Sequence, residues 1–117
     1  MTIYSAPLSD IEFSLNSFVD LPSIMKYDHF GEADHSMVSN LLAEAGRFMT
    51  DIFAPLNKSG DNEGAKRNAD GTVSTPHGFI EAYHAYVEAG WGAVSFDTGF
   101  GGGGFPFVVG LAIQEMM

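Results

Sequence analysis

Residues 34–56 read DHSMVSNLLAEAGRFMTDIFAPL, and this stretch decides the fold class. Met37, Leu41, Ala45, Phe48 and Ile52 recur every three or four positions, the spacing that puts them on one side of a helix. Leu42 and Met49 widen the stripe. The pattern predicts a helix from about Asp34 to Phe53. Pro55 should close it, because the residue before a proline resists helical dihedrals.

Working outward toward the N-terminus, residues 20–35 carry Pro22 and Gly31 and read as irregular. Before them, Leu8, Ile11, Leu15 and Phe18 repeat at helical spacing, so a first helix is expected from about Ser9 to Val19. Ser9 or Asp10 would cap it, with Glu12 suiting the positive end of its dipole. Toward the C-terminus, residues 57–74 are polar and rich in Asn, Gly and Asp. Asp70-Gly71 is a turn signal between short extended pieces. Thr75-Pro76 should open a third helix, with Thr75 as its cap. Its apolar stripe would be Phe79, Tyr83 and Tyr86/Val87, and Gly90 should end it. A short apolar link, Trp91 to Phe96, leads to a glycine-rich stretch at 99–104. Pro106 then begins a last helix to Met117 that is apolar on nearly every side, the pattern of a helix buried all round. No Gly, Asn, Pro or basic last turn closes that helix, so the expectation is that the polypeptide continues beyond Met117.

Composition narrows the function classes. The chain has 117 residues, one domain's worth, and 45% are hydrophobic, which argues against disorder. Size scaling gives a folded surface of roughly 6,200 Å², enough burial for one modest core. There is no cysteine, so disulfide scaffolds, zinc–thiolate sites, iron–sulfur clusters and thiol nucleophiles are excluded. Fifteen acids against five bases give a net charge of −10. That disfavours nucleic acid and anionic membranes as partners, and Lys58, Lys66 and Arg67 form only a loose basic cluster. No run approaches the ~20 apolar residues of a membrane span, and residues 1–20 lack the basic start of a signal peptide. A soluble cytoplasmic protein is expected.

Three constellations invite chemistry. Gly99, Gly101 and Gly104 spell G-x-G-x-x-G, which in a dinucleotide fold cradles a pyrophosphate between a strand and a helix. The preceding ninety residues read as helical, so the simpler expectation is a tight loop where backbone passes close to something else. Asp28, His29, Glu32, Asp34 and His35 are metal-ligand types without zinc-hydrolase or calcium-loop spacing. A solvated acidic loop leading into a helix explains them. His77, Glu81, His84 and Glu88 would share one face of the third helix, and Glu81-x-x-His84 matches one element of a carboxylate-bridged di-iron site. No second E-x-x-H exists, so a polar outer face is the simpler account. No nucleophile–base pair is defensible. The residues alone therefore assign no catalytic, cofactor-binding or metal-binding residue.

An ordered series of motifs adds to this. Tyr4-x-Ala6-Pro7, Glu44-x-x-Arg47-Phe48, Ala54-Pro55-Leu56-Asn57 and Gly60-Asp61-x-Glu63-Gly64 lead it. Gly78-Phe79-x-x-Ala82-Tyr83, Gly90-Trp91, Gly101-Gly102-x-Gly104 and Pro106 follow. The series resembles the N-terminal region of flavin-dependent acyl-CoA dehydrogenases, nearest to the long subgroup that includes 3-methylmercaptopropionyl-CoA dehydrogenases. The resemblance implies a mainly α fold: an orthogonal, bundle-like N-terminal helical domain, incomplete at its C-terminus. Residues 1–35 would form an N-terminal extension with the first helix, and 36–117 the helical core. It also implies a parent enzyme that binds FAD, oxidises an acyl-CoA thioester to the α,β-enoyl-CoA, passes electrons to an electron-transferring flavoprotein and forms a homo-oligomer. In that family the base and most flavin contacts lie in later domains, so no catalytic or flavin residue is carried over and the fragment alone should be inactive. The segment Ser95-Phe96-Asp97-Thr98-Gly99 departs from the family by lacking a proline and adding a glycine. Alternatives are a stand-alone helical interaction module using the apolar last helix, and a small metal-binding helical protein. Trp91 is expected to anchor its loop to the core, and truncating it would cost on the order of 3–5 kcal/mol if it is fully buried.

Overall fold

The computed structural model describes residues 4–117. Among these the chain is mainly helical, with one very short hairpin. Helix α1 spans Leu8–Ser17 and α2 is a single turn, Leu21–Ile24. A 3-10 turn at Asp28–Phe30 leads to α3, His35–Phe48, and α4 spans Ala54–Glu63. Strands β1 (Lys66–Arg67) and β2 (Val73–Ser74) pair antiparallel, then come α5 (Phe79–Glu88) and α6 (Phe107–Glu115).

The first helix begins at Leu8 after Pro7, and neither Ser9 nor Asp10 caps it. Ile11 and Leu15 point inward as expected, whereas Phe18 lies past the helix end and is exposed. The irregular segment holds more structure than its prolines and glycines suggested. Asp20 takes a left-handed conformation (φ 54°) and redirects the chain so that Leu21 is fully buried. Asp34 caps α3, its Oδ1 accepting from Met37 N at 2.8 Å.

Pro55 does not stop the second helix. A π turn, Met49–Phe53, joins α3 directly to α4. There the backbone reaches back five residues, Ala54 N–H donating to the Met49 carbonyl. Pro55 then sits in the first turn of α4, where a missing N–H costs no helical bond. Residues 57–63, which lie beyond the helix end expected at Pro55, are consequently helical. The buried stripe is also turned from the expected one. Val38, Leu42, Ala45 and Met49 face the core, while Met37 is 43% and Ile52 36% exposed. Bulkier neighbours at adjacent positions made two overlapping stripes readable, and the extra residue of the π turn carries Ile52 off the core side.

Helix α5 starts at Phe79, not Thr75-Pro76. Gly78 is left-handed (φ 86°), which breaks any helix running on from Thr75, and the His77 N–H before it donates to Glu63 Oε2 at 2.9 Å. Its inward residue is Ala82, and Tyr83 and Val87 of the expected stripe are exposed. Gly90 (φ 76°) does end the helix, its N–H bonding the Val87 carbonyl. The Asp70-Gly71 turn joins the two strands, with Asp70 Oδ1 accepting from Thr72 N and Oγ1.

The core lies between α1, α3 and α6, with Leu42, Met49, Val109 and Ile113 almost wholly enclosed. The N-terminal segment crosses α3 at Gly46, where an added Cβ would meet Ala6 Cβ at 3.1 Å. Tyr4 ties this segment to α6 by donating to the Met116 carbonyl at 2.7 Å. Helix α6 is not buried all round: Val109, Ala112, Ile113 and Met116 are, but Phe107 is 67% and Leu111 46% exposed. The molecule is a slab of 53 × 37 × 19 Å, so α6 meets neighbours on one side only.

Candidate functional site

The glycine-rich stretch is a closed loop. Gly101 and Gly104 take positive φ (83° and 70°) and fold it back on Ala93–Phe96. Gly99 N donates to Asp97 Oδ1, Gly101 N to Thr98 O and Gly102 N to Asp97 O. Gly103 N donates to Ala93 O and Gly104 N to Phe96 O. An anion cradle needs several free N–H groups aimed at one point. Here every glycine amide from 99 to 104 is already spent on the chain itself. Gly102 and Gly103 are glycines because a Cβ would lie 2.2 Å from Phe96 O and 2.6 Å from Val94 O. The close-approach reading of this loop therefore holds.

The histidine constellation does not assemble as expected. His77 lies before α5, in the turn held by Glu63, so it does not share a helix face with Glu81, His84 and Glu88. All four are exposed. In the acidic loop, Asp34 serves as a helix cap and Asp28 lies in the 3-10 turn. Among the described residues no group of three or more His, Asp or Glu is arranged to hold a metal. Lys66 and Arg67 are neighbours on one strand, so their side chains leave on opposite faces and make no converging basic patch.

Carboxylate environments follow from the turns. Asp34 is held below its ordinary range, first by the Ser36 hydroxyl and then by the Met37 N–H. Asp70 is lowered in the same way by Thr72. The Tyr4 phenol is pushed up by burial and by the nearby Glu115 carboxylate.

A groove of about 1000 Å³ opens on the molecule, and the sequence did not announce it. The π turn and α4 supply one wall through Met49, Phe53 and Leu56; α5 supplies the other through Phe79, Tyr83 and Tyr86. Tyr4, Met116 and Met117 close one end, and Asn57 and Lys58 stand on the rim. Behind it an aromatic row runs Tyr86–Phe53–Phe48–Trp91, with ring centroids about 6 Å apart at each step. Trp91 is half-buried, not enclosed, and its Nε1 finds no acceptor among the described residues. The groove residues come from four separated segments, and the π turn that aligns them has no sequence signature. Of its polar groups, the Thr50 hydroxyl is committed to the Gly46 carbonyl and the Tyr4 hydroxyl to Met116. None of the described residues lining it is a His, Asp, Glu or Ser, so it can hold an apolar surface by shape but has no side chain suited to moving a proton near neutral pH.

No family model matches the chain. It is 36% identical over 114 residues to a 3-methylmercaptopropionyl-CoA dehydrogenase of Ruegeria pomeroyi, covering 97% of this chain and 19% of that protein. It is 27% identical over 116 residues to the broad-specificity linear acyl-CoA dehydrogenase FadE5 of Mycobacterium tuberculosis, covering 98% of this chain and again 19% of the relative. The chain thus spans about a fifth of the length of the curated relatives it matches.

Proposed function

From a chain that is homologous to an N-terminal portion of acyl-CoA dehydrogenases, we propose that it serves as the first helical part of such an enzyme. The complete enzyme would use FAD to accept a hydride from the β-carbon of an acyl-CoA thioester while a carboxylate base takes the α-proton. Its products would be the α,β-enoyl-CoA and electrons for an electron-transferring flavoprotein, and it would work as a homo-oligomer. The observation that carries this is the 36% identity sustained across 97% of the chain. The ordered motif series, which runs from Tyr4 to Pro106, supports it.

Neither the glycine loop nor the groove offers the groups a flavin would need. The loop that most resembles a phosphate cradle has no free glycine amide, and no described residue lining the groove is a His, Asp or Glu. We read this chain's own share of the work as structural: α3 and α6 pack together, and the glycine loop is closed by its own hydrogen bonds. Its open faces fit a part that packs against further polypeptide. The solvent-accessible surface is 7942 Å², about 1,700 Å² above what size scaling gives for a self-contained protein of this length.

The test is a chimera in which this chain replaces the matching portion of the Ruegeria relative. A purified product that carries FAD and oxidises acyl-CoA is expected. A folded chimera without flavin would overturn the reading. The 117-residue chain by itself is expected to bind no FAD, and a stoichiometric yellow complex from it would overturn the structural role. The apolar groove favours a second reading, a stand-alone interaction module. Sedimentation of the chain as a monomer that binds no hydrophobic dye would count against that reading.

A further inference from the structure

We draw no further inference here: the strongest candidate, the apolar groove between the π turn, α4 and α5 with Lys58 on its rim, carries nothing because, beyond the packing already proposed, nothing in the structure shows what covers it.

Discussion

Gly102 and Gly101 are chain neighbours with opposite reasons for lacking a side chain. At Gly102 an added Cβ meets backbone, Phe96 O at 2.2 Å and Phe96 C at 2.3 Å, and backbone cannot swing aside. At Gly101 there is open space, and only the positive φ of 83° resists substitution. Gly102→Ala should therefore cost about 3 kcal/mol, at the upper end of overpacking penalties. Gly101→Ala should cost about 1–2 kcal/mol, the left-handed strain alone. Urea unfolding of both variants decides it, and equal costs would mean that the loop can open. Trp91 belongs to the same scale. Because it is half-buried, its truncation should fall below the cost expected for a fully enclosed residue. Trp91→Phe should change stability by less than about 1 kcal/mol, because it also removes a buried N–H that has no acceptor. Asp34 adds a pH dependence. Its folded-state pKa lies below the ordinary value, so its stabilisation is complete above that value and is lost as pH falls through the folded-state pKa. The gap in urea midpoint between the natural chain and Asp34→Ala should thus be widest at neutral pH and shrink in acid. A gap independent of pH would mean the carboxylate's charge does not matter to the cap.

Helices α4 and α5 meet at a glycine. An ideal Cβ at Gly60 lies 2.5 Å from Phe79 Cζ, so the tip of the ring presses on bare backbone of α4. Gly60→Leu should cost about 1–3 kcal/mol by pushing the ring out. Adding Phe79→Ala should restore part of it, because the clash partner is gone. A double-mutant cycle with no coupling would show that the two helices do not meet there. What the sequence made legible at this scale depended on how local the cause was. Gly90 and Asp70-Gly71 act within a few residues, and both do what their chemistry predicts. Pro55 misled because the π turn before it depends on how α3 and α4 pack, which no local pattern records. Thr75-Pro76 misled because Gly78, three residues after Thr75, is left-handed and lies close against Leu56 of α4, a packing constraint that no local pattern records. The groove was invisible for the same reason: Met49, Phe79 and Met116 meet only after the helices have packed. The motif series fared better, since it compares an entire ordered string and needs no account of packing.

At the scale of the molecule, surface dominates. The radius of gyration is 16.8 Å, against about 13 Å for a compact chain of this length. Phe100 is 92% exposed, and Phe96, Phe107 and Leu111 are also open to solvent. The isolated chain should bind a hydrophobic dye such as ANS at neutral pH, and the chimera should bind much less. Equal dye binding by the two would mean that no added polypeptide covers these faces. The 19 Å thickness also has a calorimetric consequence. A slab one or two helices deep has less buried apolar area to release, and that area sets the heat capacity of unfolding. The increment should fall below the usual 12–15 cal/mol/K per residue, giving a flatter stability curve and a melting transition spread over a wider range of temperature.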